Sequence, residues 1–171
     1  VDGCPVKTIG KNAFSAREDL ESVSIPKTVE TLGRYAFYNC KKLKSISLYD
    51  CVEDYYDGVI KQCHCLEEVK LTQLRGDYSV MKELLADTDR RLHFRIEPCG
   101  LQLTFPAYVY NFVEDVEARV LHHKIEGSGY PYRECVTRKG VDLLAYDRLF
   151  SQVVNDDYRT AIEIACDRLM Y

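Results

Sequence analysis

Residues 8–48 read TIGKNAFSAREDLESVSIPKTVETLGRYAFYNCKKLKSISL, and sliding this stretch by 23 residues lays it on itself. Thr8 meets Thr31, Gly10 meets Gly33, and Ala13-Phe14 meets Ala36-Phe37. Beyond the quoted stretch the same offset aligns Val6, Val29 and Val52; Leu20, Leu43 and Leu66; Val23, Ile46 and Val69; Ile25, Leu48 and Leu71; and Cys40 with Cys63. So many coincidences at one offset define a repeat, and a repeat fixes an architecture before any single element is assigned.

Each unit carries a leucine, two residues, an aliphatic, one residue and a second aliphatic: Leu20 to Ile25, Leu43 to Leu48, Leu66 to Leu71. Alternation at the end of each unit is the period of a strand, so the aliphatics face inward while Ser22, Ser24, Ser45, Ser47, Glu68 and Lys70 face out, with Tyr49 next in line on the same side. Three short parallel strands are therefore predicted to stack. The segments before them, with Ile9, Ala13 and Phe14 in one copy and Leu32, Ala36 and Phe37 in the next, are predicted to form one short helical turn over the strand layer. No unit can bury its apolar face alone; each does so against its neighbour.

A 23-residue period falls within the leucine-rich range of about 20 to 29. The order Ile-Gly, Ala-Phe, Cys, Leu, Ile-x-Ile-Pro in the quoted stretch resembles the BspA-type leucine-rich repeats of bacterial and protist proteins, over residues 1 to about 74. The chain departs from that pattern at Arg17, where a Cys is usual, and in the third unit, where Tyr55-Tyr56-Asp57-Gly58-Val59-Ile60 replaces the Gly and Ala-Phe positions. The third unit reads as a degenerate terminal repeat. The resemblance implies protein binding or adhesion through the repeat surface and carries no catalytic residues. Either further repeats precede these, or the second half caps the stack, because about three units are needed for a continuous core.

The remaining composition is that of a globular protein: 171 residues, 46% hydrophobic and 29% charged. No apolar run approaches the roughly 20 residues that cross a bilayer, so no membrane insertion is expected. Residues 1–75 hold 11 basic and 11 acidic side chains and residues 76–171 hold 12 and 16, which leaves no basic footprint for nucleic acid. Eight cysteines are spread through a chain large enough to have a core, which favours reduced thiols and a cytoplasmic setting; a surface or secreted location would follow from a removed leader. The absence of an initiator Met and of a helix stop before Tyr171 suggests a piece of a longer chain.

From Gly76 the 23-residue register is lost, and residues 76–171 are expected to form a second unit, a small mixed α/β or α+β domain after the α/β leucine-rich-repeat solenoid of residues 1–75. Asp77-Tyr78-Ser79 with Val80, Met81, Leu84 and Leu85 predicts a capped helix ending near Asp89. Leu92 to Glu97 and Leu101 to Phe105 predict a hairpin. Residues 107–125 suit a helix, although 118–125 suit a strand equally. Gly127 to Pro131 reads as a loop, Cys135-Val136 as a short strand and Val141 to Val154 as a helix. Asn155-Asp156 would cap a last helix carrying Tyr158, Ala161, Ile162, Ala165 and Leu169.

Candidate chemistry is thin. Cys63-His64-Cys65 lacks the second ligand pair of a zinc site, the adjacent His122 and His123 point apart on any regular element, and Gly127-Ser128-Gly129 lacks the ending of a phosphate loop. No catalytic residue, metal or cofactor is expected. The leading expectation is a non-enzymatic recognition module that binds a protein through Ser22, Ser24, Ser45, Ser47, Glu68, Lys70 and Tyr49. The alternative places an enzymatic or ligand-binding activity in residues 76–171, in a pocket lined by His122 or His123 with Cys135, and uses the repeats for docking. Among the tyrosines, Tyr49, Tyr55, Tyr56, Tyr130 and Tyr132 are the candidates for a binding surface.

Overall fold

The computed structural model of the protein describes residues 3–115 and 120–170, with side chains described outside 112–123. Each 23-residue unit is one coil of a β-solenoid, and each coil carries two strands. The first holds β1 (Thr8–Ile9) and β2 (Ser22–Ser24), the second β3 (Thr31–Leu32) and β4 (Ser45–Tyr49), the third β5 (Asp54–Tyr55) and β6 (Glu68–Thr72). β1, β3 and β5 form one parallel ladder and β2, β4 and β6 another, in a register that pairs Thr8 with Thr31 and Asp54, and Val23 with Ile46 and Val69.

The helical turn expected over residues 9–14 and 32–37 is not formed. Those segments are hydrogen-bonded turns in which Asn12, Ala16, Tyr35, Asn39 and Gln62 take positive φ, which breaks any α-helical run. Their amides donate to the next coil instead of four residues back: Phe14 N–H to the Ala36 carbonyl at 2.8 Å, and Phe37 N–H to Val59 at 2.9 Å. Across these turns the amides of Asn12, Phe14, Ala16, Tyr35, Phe37 and Asn39 all donate to the later coil, whereas beside the strands amides such as that of Gly33 donate back, to Ile9. Cys40 and Cys63 extend the ladder with side chains, each thiol donating at 3.0 Å to the carbonyl of Phe14 or Phe37. The coils touch so closely that a Cβ on Gly33 would lie 2.6 Å from the Lys11 nitrogen.

Inside the coils, Ala36, Phe37, Cys40, Leu43, Ile46 and Leu48 are almost wholly buried, and the Phe14 and Phe37 rings stack at 5.3 Å. Burial of each large side chain contributes about 1.5 to 3 kcal/mol.

The chain leaves the third coil around a buried carboxylate. Asp50 accepts the backbone N–H groups of Leu74, Arg75, Gly76 and Asp77 at 2.7 to 3.2 Å. α1 (Ser79–Ala86) then buries Val80, Met81, Leu84 and Leu85, as its spacing predicts, with the Asp77 carboxylate on the Ser79 N–H. It stops at Ala86, short of Asp89, because Asp87 turns back onto the third coil. There Asp87 accepts the Tyr55 hydroxyl at 2.7 Å and the Gly58 and Ile60 amides at 3.0 and 3.2 Å. In each earlier coil three turn amides reach the next coil's carbonyls, and the Asp87 carboxylate takes two of the three equivalent amides in the last coil. At the other end the carbonyls of Lys11, Ala13 and Ser15 take no hydrogen bond among the described residues.

The predicted hairpin forms as β7 (Leu92–Glu97) and β8 (Leu101–Phe105). β7 also pairs in parallel with β6, Val69 against Phe94 and Leu71 against Ile96, so the sheet of the coils runs on as β2-β4-β6-β7-β8. One hydrophobic cluster extends from Ile25 in the first coil to Ile164 near the end of the chain.

Residues 107–125 do not form a helix. β9 (Val109–Asp115) and β10 (Val120–Glu126) make an antiparallel ribbon that pairs with no other strand among the described residues, consistent with the β-branched and aromatic residues Val109 to Val113. The expected loop at 127–131 becomes helical from Gly129, as α2 (Gly129–Glu134): Pro131 sits in its first turn, where a missing N–H costs nothing, and Gly129 lies where a Cβ would meet the Pro106 carbonyl at 2.1 Å. After β11 (Val136–Thr137) and β12 (Gly140–Val141), the single helix expected to Val154 is two, α3 (Leu143–Arg148) and α4 (Phe150–Asp156), meeting at Leu149. The last, α5 (Tyr158–Leu169), is capped by Asp157, not by Asn155-Asp156; the Asp157 carboxylate accepts the Thr160 N–H and hydroxyl. It is also rotated from expectation, burying Thr160, Ala161, Ile164 and Asp167 while Tyr158, Ile162 and Leu169 are exposed.

Arg133 ties these pieces together. Its buried guanidinium donates to the carbonyls of Leu85, Thr88, Arg90, Pro106 and Gly129 and lies 4.6 Å from the Tyr108 ring centre. Burial pulls its pKa down to about 10.

Candidate functional site

The outward residues of the coils form rows across the sheet, because in-register strands bring residues one period apart side by side. One row is Ser22, Ser45, Glu68, His93 and Thr104; the next is Ser24, Ser47, Lys70, Arg95 and Gln102; a third is Tyr49, Thr72 and Glu97. Ser22, Ser24, Glu68 and Lys70 are exposed, and Ser45, Ser47 and Tyr49 are half-buried. All seven residues predicted to share a face lie on one.

Sequence reasoning missed that this face continues past the repeats. His93 and Arg95 from β7, and Gln102 and Thr104 from β8, complete its rows. The signal was present in the alternation Leu92-x-Phe94-x-Ile96. It is hidden because the step from Val69 to Phe94 is 25 residues and encloses a helix.

At the far end α5 forms a wall. The buried Asp167 carboxylate accepts the Thr104 hydroxyl at 2.7 Å and lies 3.3 Å from His93 Nε2, while Arg91 pairs with Glu163. Two hollows open on this face and share Glu68 and His93. One, of about 360 Å³, is lined by Ser45, Ser47, Glu68, Lys70, Arg95 and Gln102 among others; the second, of about 380 Å³, runs under α5 past Arg91 and Glu163. In the first hollow Lys70 and Arg95 stand on adjacent strands, both exposed, and Arg95 Nε donates to Glu97 at 2.9 Å.

The other candidates disperse. Cys63 is buried, its thiol pushed up to about 12 by desolvation, while Cys65 is exposed. Among the described residues no group of three or more His, Cys, Asp or Glu is placed to hold a metal ion. Cys135 is buried against the Pro131 carbonyl, and burial raises its pKa. The side chains of His122 and His123 lie outside the described residues. Tyr132 belongs to the core, edge-on to Tyr146 at 4.6 Å, and is no surface residue. Tyr55 is bound to Asp87, whereas Tyr56 and Tyr130 are exposed. No helix among the described residues is long and apolar enough to cross a membrane.

Comparison with known proteins bears on the coils alone. Residues 4–81 match the protein-family model described as a BspA type leucine rich repeat region, in six copies, and β1 to β6 all fall inside the match. No curated protein and no solved structure matches the chain.

Proposed function

Because residues 4–81 are a BspA-type leucine-rich repeat region, we propose that the chain is a non-enzymatic scaffold that binds a protein partner through the polar face of its solenoid sheet. The observation that carries this reading is the continuity of that face: rows of small and charged side chains on one rigid sheet, from Ser22 and Ser24 to His93 and Arg95. A rigid backbone presents such groups without the entropy cost of ordering a loop on binding. The face is polar and largely open, which suits a protein surface better than a small molecule needing enclosure.

Residues 76–171 serve in this reading as the cap of the repeats and as the wall of the binding face. Asp87 supports the first role and α5 the second. A cysteine nucleophile there would need a thiol activated by a lowered pKa, and burial moves Cys135 the other way.

The test is a native pull-down comparing wild type with a Ser24→Arg, Ser47→Arg double variant. Loss of a specific partner at unchanged melting temperature is expected. An identical partner list would overturn the assignment of the face.

A further inference from the structure

Resting on the reading of this face as a protein-binding surface, we propose that its partner is an acidic, extended peptide segment, seated across the strands with a carboxylate between Lys70 and Arg95. These two residues are direct neighbours on β6 and β7, on the same side of the sheet. Strands lie about 4.8 Å apart, so the two cations share one small region and can both reach a single carboxylate seated between them. Lys70 has no ion-pair partner among the described residues, and Arg95 uses only its Nε, toward Glu97. Ser47 and Gln102 flank the pair in the same row and add hydroxyl and amide donors. Four side chains that can donate thus line one hollow of about 360 Å³.

Charge decides the class of anion. Glu68 and Glu97 stand in the adjoining rows on either side of the pair. They cancel the net charge of the pair, which penalises a dianion such as a phosphate ester more than a single carboxylate, so the attraction comes from the Lys70 ammonium, which has no ion-pair partner among the described residues. Geometry decides the rest. The row Ser24, Ser47, Lys70, Arg95 and Gln102 spans five strands, roughly 19 Å at the usual spacing, which is the length of about six extended residues. The serine end is low and open and admits peptide backbone; α5 closes the neighbouring row at His93 and Thr104.

The test titrates the ¹⁵N-labelled protein with two capped peptides, Thr-Ser-Thr-Glu-Thr-Ser and the same sequence with Gln for Glu, reading amide shifts. Amides of β6 and β7 are expected to move, with about tenfold tighter binding of the Glu peptide from one bidentate charged contact. Lys70→Gln with Arg95→Gln should erase that difference while leaving the spectrum of a folded protein, and raised salt should weaken it. Equal binding of both peptides, or discrimination that survives the double variant, overturns the proposal. If discrimination is absent while Ser24→Arg, Ser47→Arg still abolishes partner capture, the acidic-segment proposal falls and the binding face stands. If discrimination is present and partner capture is indifferent to the serine variants, the carboxylate site stands and the wider reading of the face falls.

Discussion

Asp87 is the residue on which the end of the solenoid depends, and replacing it gives the most direct test of the fold described above. Its carboxylate accepts three donors, of which the Gly58 and Ile60 amides are in buried residues and cannot turn to water. A buried donor left without an acceptor costs about 1 to 3 kcal/mol. Asp87→Ala orphans both amides, and the Tyr55 hydroxyl can rotate toward solvent, so a loss of about 3 to 4 kcal/mol is expected. For a chain of this size that is a fall of roughly 6 to 16 °C in melting temperature. Asp87→Asn keeps one acceptor oxygen and should lose about 1 to 2 kcal/mol. The two variants also separate by pH. Burial raises the Asp87 pKa above its ordinary value, so the stability it contributes is full below the unfolded pKa and declines as pH rises through the folded one. Asn does not titrate, and its deficit relative to wild type should therefore shrink as pH rises above the ordinary aspartate pKa and through the raised one of the folded state. Urea unfolding at several pH values measures both effects. An Ala variant within about 0.5 kcal/mol of wild type, or an Asn deficit that widens with pH, would refute the capping role.

Gly33→Ala should cost about 2 to 3 kcal/mol, since its Cβ would press on the backbone of Lys11 and Gly10, whereas Gly10→Ala, at the same repeat position with nothing within 4 Å, should stay within about 0.5 kcal/mol; equal costs in thermal unfolding would contradict the coil spacing. Arg133→Lys keeps the charge but not the planar fork that reaches five carbonyls, and a loss of about 3 to 5 kcal/mol by denaturant titration is expected, with a change under about 1 kcal/mol counting against the junction described.

The coils were legible because their period is long-range information: Val23, Ile46 and Val69 coincide at one offset whatever the local propensity. The second ladder was not, because two-residue strands such as Thr8–Ile9 and Thr31–Leu32 are too short to show alternation. The polar face was legible as far as Lys70 and stopped there, since the 25-residue step to β7 breaks the register that identified it. The face of α5 was misplaced for a different reason. Two of its four buried residues are polar, Thr160 bonded to the helix cap Asp157 and Asp167 to Thr104 of the sheet, and a search for apolar periodicity passes over both. At the described ends of the ribbon, 109–111 and 124–126, every side chain is exposed, so no alternation of burial marks them.

The shared direction of the hydrogen bonds between the turns of successive coils gives that side of the solenoid a head and a tail, much as a cytoskeletal filament has unlike ends. At its turns the head shows three carbonyls, of Lys11, Ala13 and Ser15, and can be extended there only by something that brings amides. Two copies brought head to head would set acceptor against acceptor at these turns, so their turns cannot pair through the backbone in such a dimer. The tail shows amides already claimed by Asp87. Growth across the Gly58 and Ile60 amides requires a half-buried carboxylate to leave first, which makes Asp87 a stop against end-to-end extension at these turns as well as a source of stability.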